Sequence, residues 1–370
     1  MNNKSEDTIF ALRPGTIEID DIVLTSHSGI TPFAIRTFTQ SHISHAALCT
    51  MPDMLFEAVR DGVMRRSVIG TFAHRSEWIR VLRPRNPLPR NADGLRVADY
   101  ADALYGRGYS RQGAVASRFP ILGGVDDGAV FCSQSIAQAY LQYGVTLVPG
   151  KTPSQVYPAM LLTSPELTDV TGRCIRELGS VSNTALYRLV FDTANQEAPG
   201  AEMRMNRQAF EAIQNELGSS LPGSVHSLTE LSIWLSNESS SNAVRQADAP
   251  VLDVLERKGI FKWYEDFSAD ARAMAAILEL AATAAELSTG TRMDPETQAL
   301  LNDLQEAIPL AEASLARRES TAQDYKNLAT TTGLKTFERF ASAYKKQHED
   351  ALRIHSARTR LMDALRRRSA

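Results

Sequence analysis

The sequence predicts an α+β fold to about residue 195, followed by an α-helical region. The first part holds short apolar runs broken by Gly and Pro, a pattern typical of strands and turns. From Met203 onward the residues are mostly helix formers, interrupted by Ser-rich breaks. A chain of 370 residues is also long for a single hydrophobic core. We therefore predict two domains, residues 1–195 and residues 196–370.

The first domain is expected to contain an antiparallel sheet. Residues 16–25 predict a bent strand or a strand pair, and residues 44–50 predict a buried strand. Residues 54–59 follow a turn and are the expected hairpin partner of that buried strand. Other predicted elements are a short helix at residues 30–39 and strands at residues 78–82, 171–175 and 185–191.

The second domain is expected to consist of helices. Residues 269–287 predict an Ala/Leu/Glu helix, and residues 337–368 predict one long helix with a basic end. The apolar stripe of the long helix consists of Phe337, Phe340, Tyr344, Leu352, His355, Leu361 and Leu365.

Residues 129–144 carry the strongest chemical signal. A helix face is indicated by the spacing of Ile136, Ala139, Tyr140 and Tyr143. Gly144 lies where a C-terminal cap is expected, so Cys132 falls in the first turn of the helix. Unpaired N–H groups and the helix dipole can lower the pKa of such a thiol from about 8.5 to between roughly 3.5 and 7.5. The alternative is a buried cysteine that only fills the core.

A nucleophilic cysteine needs a base beside its sulfur. His45 stands at the start of a predicted strand, where a sheet can fix its ring to face a helix terminus. Glu57 lies inside an apolar run of the presumed neighbouring strand, and a buried acid is costly unless it is paired. Its carboxylate would set the tautomer of His45. The structural alternatives are a core histidine and an acid at the rim of the sheet.

These residues belong to a wider pattern of three short motifs in order along the chain. The motif S-x-x-S-H ends at Ser44-His45, E-A is Glu57-Ala58, and C-S is Cys132-Ser133. With residues 21–24, this order resembles the circularly permuted NlpC-type papain-like hydrolases, to which the lecithin:retinol acyltransferase group is related. The similarity covers roughly residues 10–165. It implies a permuted papain-like domain, an antiparallel sheet with a nucleophile helix, in which the histidine strand comes first.

The resemblance also implies roles. Cys132 would be the nucleophile, His45 the general base and then the acid, and Glu57 the orienting third member. The family's first strand begins Gly-Asp, whereas residues 16–20 separate Gly15 from Asp21 here.

The loop at residues 106–128 supplies the candidate substrate contacts. Its apolar tip is flanked by a basic side chain and lies just before Cys132, where an acyl chain can dock. The candidates are Tyr109, Arg118, Phe119, Ile121 and Leu122. Ordinary loop solubility is the alternative explanation of the basic residues.

No metal or cofactor is expected. His42 and His45 are three residues apart, which on a strand places them on opposite faces, and no third ligand supports a metal. Residues 106–111 lack the third glycine of a dinucleotide-binding loop. A net charge of −3 gives no case for nucleic-acid binding.

Three substrate hypotheses remain open. The first is an amidase or peptidase, including one that acts on a cell-wall stem peptide. The second is a phospholipid acyl hydrolase or acyltransferase, and a bacterial toxin delivered to other cells would fit either chemistry. The third is a non-enzymatic binding module that keeps the fold.

The location and partners follow from composition. The first residues carry acids early and no apolar run of signal-peptide length, and no window approaches about 18 uncharged apolar residues. We therefore expect no integral membrane segment and a cytoplasmic protein, with export without a cleavable signal as the alternative. Three cysteines suit a reducing compartment. Partner binding or delivery by residues 196–370, and transient membrane contact, are left open.

Overall fold

The fold is α+β, with antiparallel sheets followed by a mostly helical region, as predicted. The chain divides into two compact units, Met1–Thr184 with Ala198–Arg204, and Ala185–Glu197 with Met205–Ala370. The computed structural model describes residues 8–26, 41–51, 54–59, 62–88, 96–106, 131–179, 187, 190, 200–288 and 293–369.

Antiparallel strands form two sheets in the described part of the first unit. In chain order they are β1 (Ile9–Leu12), β2 (Ile22–Thr25), β3 (His45–Met51), β4 (Met54–Val59), β5 (Gly62–Ser67), β6 (Phe72–Ala73), β7 (Ile79–Pro84), β8 (Leu167–Asp169) and β9 (Ile175–Gly179). The larger sheet has the order β5-β4-β3-β2-β7-β8, and the smaller sheet has the order β6-β1-β9. The hairpin predicted from residues 44–50 and 54–59 is confirmed as β3 and β4.

Helices α1 (Val97–Ala103) and α2 (Cys132–Gln142) pack against the larger sheet. Their apolar side chains share one core with alternate residues of the central strands. This core includes Ile136 and Tyr140 of α2 and the strand residues Leu24, Ala46, Leu48 and Phe56. A one-turn helix, α3 (Thr171–Cys174), precedes β9. Short 3-10 helices cover Val68–Gly70, Ser76–Trp78, Pro153–Gln155 and Pro158–Thr163.

Asp20 joins the larger sheet to both helices. Its φ of 73° lies in the left-handed region, which is uncommon for a residue other than glycine. Its carbonyl oxygen accepts a hydrogen bond from the Tyr140 hydroxyl at 2.6 Å, and its Oδ1 accepts the Ala98 N–H at 3.0 Å. The position of α2 relative to β2 is therefore fixed by hydrogen bonds as well as by packing.

The strand predicted at residues 16–25 begins only at Ile22. Asp20 turns the chain, and the next residue, Asp21, is fully buried against Arg83 of β7. The Nε and Nη2 atoms of Arg83 each donate to one Asp21 carboxylate oxygen at 2.8 Å. This ion pair holds the segment before Ile22 in a turn, so the prediction of strand for residues 16–21 is wrong.

Other differences are local. The strand predicted at residues 171–175 is wrong for its first part, because Thr171–Cys174 forms α3 and β9 starts at Ile175. The predicted C-terminal cap is confirmed, since Gly144 has a φ of 77°. The short helix predicted at residues 30–39 and the loop tip lie outside the described residues, as does most of the strand predicted at residues 185–191.

The second unit is helical in its described part, as predicted. Its helices are α4 (Gly200–Leu217, which belongs to this unit from Met205 onward), α5 (Leu228–Asn237), α6 (Asn242–Arg257), α7 (Ile260–Leu287), α8 (Pro295–Thr332) and α9 (Lys335–Ser369), with a 3-10 turn at Gly218–Ser220. The long helix predicted from Phe337 is confirmed as α9, although Leu352 of its predicted stripe is exposed. None of the helices in the described ranges combines the length and apolar character needed to cross a membrane.

Candidate active site

Cys132 is the first residue of α2 and is buried. Phe131 before it is extended, with φ −114° and ψ 166°, and its carbonyl oxygen accepts the Ser135 N–H at 3.0 Å. The Ser133 hydroxyl donates to the Val156 carbonyl oxygen at 2.8 Å. These contacts fix the first turn of the helix and, with it, the position of the sulfur.

His45 is the first residue of β3 and is also buried. Its Nε2 atom lies 2.7 Å from Oε2 of Glu57 on β4. The Glu57 side chain is 5% exposed. A side-chain hydrogen bond also joins His45 to Cys132. The structure thus brings the predicted Cys132, His45 and Glu57 together in one buried row.

The surroundings of Cys132 favour the thiolate. Burial alone would raise the pKa of the Cys132 thiol, but the positive charge of His45 and its hydrogen bond outweigh this and lower that pKa below its ordinary value. The N–H groups of Ala46 and Ser133 also donate to the sulfur. The sulfur is therefore stabilised from the strand side and from the helix start.

The histidine and the acid respond in the matching directions. Burial would lower the pKa of His45, but the Cys132 thiolate and the Glu57 carboxylate raise it to about 9. Burial would raise the pKa of Glu57, but Arg66 and His45 hold it well below its usual range. At neutral pH the His45 ring is therefore cationic and Glu57 is ionised, and the lowered pKa of the Cys132 thiol favours a thiolate beside them.

Arg66 of β5 is a member of the site that the sequence reasoning missed. Its Nε atom forms an ion pair with Oε1 of Glu57 at 2.8 Å, on the other side of the carboxylate from His45. The signal for it was the Arg65-Arg66 pair within a strand, because adjacent residues point to opposite faces and one of the two must point inward.

The other predicted site residues are not placed by the structure. Tyr109, Arg118, Phe119, Ile121 and Leu122 lie outside the described residues, so their roles stay predictions. Among the residues that the structure does describe, no group of three or more His, Cys, Asp or Glu side chains could hold a metal ion.

The remaining cysteines have structural surroundings. Cys49 is fully buried in β3, and its Sγ donates to the Met51 carbonyl oxygen at 2.9 Å. Cys174 lies at the end of α3, where burial raises the pKa of its thiol.

A scan against models of known protein families finds no match to this chain, and a search of curated proteins finds none either.

Proposed function

We propose that this chain is a cysteine hydrolase that cleaves an amide or ester bond through a thiol acyl-enzyme. The observation that carries the proposal is the buried row of Cys132, His45 and Glu57, with 2.7 Å between the ring and the carboxylate. A nucleophile, a base and an orienting acid in this order are what acyl transfer by a cysteine requires. A cysteine that only fills a core gains nothing from a buried imidazolium.

We also propose that the first unit is a permuted papain-like domain. The order of elements supports this, because the strand that carries His45 precedes the helix that begins at Cys132. The antiparallel arrangement of β2, β3 and β4, with α2 packed against them, is the architecture that the resemblance implies.

In the first half of the reaction, the Cys132 thiolate attacks the carbonyl carbon and forms a carbon–sulfur bond. The carbonyl π electrons move to the oxygen, and backbone N–H groups at the start of α2 stabilise the resulting oxyanion. When the tetrahedral intermediate collapses, the bond to the leaving group breaks. The His45 imidazolium gives its proton to that group, which leaves an acyl-enzyme and a neutral imidazole.

In the second half, neutral His45 takes a proton from water as the water oxygen attacks the acyl carbon. Collapse of this second intermediate expels the Cys132 thiolate and releases the acid. His45 is again an imidazolium, so the starting state is restored. Glu57 holds the ring in one orientation throughout and stabilises its charged form.

The decisive experiment incubates the wild type and Cys132→Ala with phospholipid vesicles and, separately, with peptidoglycan fragments. Products are identified by mass spectrometry. Lysolipid from the wild type alone would assign ester substrates, and cut stem peptides from the wild type alone would assign amide substrates. Cys174→Ala serves as the control because its sulfur faces Thr16 and the substitution should retain activity.

An acid-quenched sample of the wild type with a slow substrate should also show an acyl group attached to Cys132. Absence of any product and of any adduct with both substrate classes would overturn the hydrolase proposal. It would favour a binding module that keeps the fold.

A further inference from the structure

The Glu57 carboxylate has a cationic partner on each side. Oε2 lies 2.7 Å from Nε2 of His45, and Oε1 lies 2.8 Å from Nε of Arg66. The side chains of Glu57 and Arg66 are only 5% and 9% exposed, so solvent does little to screen this ion pair. Arg66 thus extends the row of the active site by one residue.

The strand register builds this arrangement. Glu57 lies opposite Ala47 of β3 and opposite Met64 of β5. His45 is two residues from Ala47 and Arg66 is two residues from Met64, so both occupy the same sheet face as Glu57 on its diagonals. Because β3 and β5 both run antiparallel to β4, the two diagonals point to opposite ends of the strand. The carboxylate is therefore approached from two directions.

The guanidinium of Arg66 is itself held from behind. Its Nη1 atom donates to the hydroxyl of Thr71, which is buried just after the 3-10 turn Val68–Gly70. The Ser67 hydroxyl accepts the Ile69 N–H at 3.2 Å and caps this turn. A cation on a long side chain is thereby fixed in one place, which lets it orient the carboxylate as well as neutralise it.

The two partners of Glu57 differ in how permanent their charge is. His45 gives up its proton during the proposed reaction, whereas an arginine side chain stays charged throughout the working pH range. Burial would raise the pKa of Glu57, and the charge of Arg66 is the largest influence that lowers it, ahead of His45. Arg66 can therefore keep the carboxylate ionised when the ring is neutral.

We infer that Arg66 is a positioning residue of the Cys132 site, which keeps Glu57 ionised and directed at His45 and so maintains the imidazolium beside the sulfur. The inference rests on the proposed function for its catalytic meaning. The effect of Arg66 on the ionisation of the Cys132 sulfur can be measured without any substrate.

The charges predict how the site responds to loss of Arg66. His45 on β3 and Arg66 on β5 both face Glu57, and Cys132 on α2 faces His45. When the sulfur is ionised, the thiolate, imidazolium, carboxylate and guanidinium alternate in sign and sum to zero. A neutral residue at position 66 leaves one buried negative charge without compensation, so the site takes up a proton at a higher pH. If the sulfur takes that proton, the thiolate is lost directly. If the carboxylate takes it, neutral Glu57 no longer supports the charge of His45, which is the charge that favours the thiolate, so in both cases the thiolate forms at a higher pH.

The test measures the rate of Cys132 alkylation by iodoacetamide as a function of pH, with circular dichroism to confirm folding. In Arg66→Met we expect the midpoint of the acidic limb to rise by about one pH unit. Arg66→Lys keeps the charge and should stay close to the wild type. Arg66→Gln, which keeps a donor but no charge, should shift like Arg66→Met and serves if the Met variant does not fold.

The matched control is Arg65→Met, which removes the same charge from the same strand. Arg65 lies opposite Phe56 on the other sheet face and pairs with Asp102 at 2.9 Å, so its loss should leave the midpoint unchanged. A folded Arg66→Met or Arg66→Gln with the wild-type midpoint would overturn the inference. So would an equal shift in Arg66→Lys.

The outcome is independent of the hydrolase proposal. A shift in Arg66→Met together with no turnover of any amide or ester would reject the proposed function and keep the role of Arg66. Turnover by the wild type with no shift would do the reverse.

Discussion

The three cysteines differ in what surrounds each sulfur. All are buried, so exposure does not separate them, but only Cys132 has an imidazolium beside it. Burial raises the pKa of the Cys174 thiol, and the Cys49 thiol donates a hydrogen bond to the Met51 carbonyl oxygen. Because the thiolate is the nucleophile, reactivity should follow these environments rather than accessibility.

We predict that iodoacetamide near neutral pH alkylates Cys132 at least about tenfold faster than Cys49 or Cys174. Peptide mapping by mass spectrometry after timed labelling measures the three rates. Cys132→Ser should lose the fast phase, and labelling in concentrated urea should make the three sites similar. Faster labelling of Cys49 or Cys174 in the folded protein would contradict the lowered pKa of Cys132.

Glu57 makes stability depend on pH in a defined direction. Its folded-state pKa lies well below the unfolded value of about 4.3, so the folded state binds fewer protons in acid. The stability that this group contributes is present above about pH 4.3 and is lost as the pH falls further. Glu57→Gln should lower the free energy of unfolding by about 3 kcal/mol at pH 7, because Arg66 and His45 lose their buried partner.

The same variant should lose less stability than the wild type between about pH 4 and pH 2, since it has no carboxylate to protonate. Calorimetric unfolding over this range measures the difference. Glu77→Gln is the control, because its side chain is 43% exposed and its loss should change little. Parallel pH dependences for the wild type and Glu57→Gln would argue against a buried ionised carboxylate.

Among the elements, α2 and the β3–β4 hairpin were predictable because local signals agree with the fold. Helix spacing, a left-handed Gly144 and turn residues between two apolar runs all point the same way. The resemblance supplied the roles expected of His45, Glu57 and Cys132. None of these signals predicts the distances between the side chains, because those distances depend on strand register.

The Arg65-Arg66 pair indicates that one of the two side chains points inward, but which one does so was not predictable, because the sequence does not show which face each strand residue takes. Every residue of β3 from His45 to Thr50 is buried, so the strand reads as a continuous apolar run without a visible period of two. The strand prediction for residues 171–175 failed for a different reason. The Thr171 N–H is bound by Asp169 Oδ1 and its hydroxyl accepts the Val81 N–H, so tertiary contacts turn this segment into a helix.

One helix in the second unit begins on a cap supplied by another helix. Asp248 lies within α6, and its carboxylate accepts the N–H groups of Lys335 at 2.9 Å and Thr336 at 3.1 Å, at the start of α9. These are backbone donors that the helix itself leaves unpaired. The cap is therefore also a link between α6 and α9.

Asp248→Ala should lower the free energy of unfolding of the second unit by about 1–2 kcal/mol, as the loss of a helix cap does. Urea unfolding followed by circular dichroism measures this, because the helices dominate the signal. Asp253→Ala, on the same helix and 64% exposed in its pair with Arg257, is the matched control and should change stability by less than about 0.5 kcal/mol. Equal effects of the two substitutions would show that the cap adds nothing.

For the molecule as a whole, the described residues form separate cores in the two units. The core beneath α2 draws on residues of the larger sheet with α1 and α2, such as Leu48, Phe56 and Tyr140. The core of the second unit draws on all six helices from α4 to α9, and includes Trp234, Phe261 and Phe337. No residue belongs to both of these clusters. A cavity in one core should therefore act first on the unit that contains it.

Phe337→Ala tests this expectation, since Phe337 is fully buried in the second core and its truncation should cost about 3–5 kcal/mol. We expect the variant to lower the transition temperature of the second unit in calorimetry and to leave the alkylation rate of Cys132 at the wild-type value. Phe56→Ala should lower the other transition. Leu352→Ala, on the same helix as Phe337 but 46% exposed, controls for a substitution in α9 without a cavity. A Phe337→Ala variant in which Cys132 reactivity and both transitions change together would mean that the two units unfold as one cooperative body.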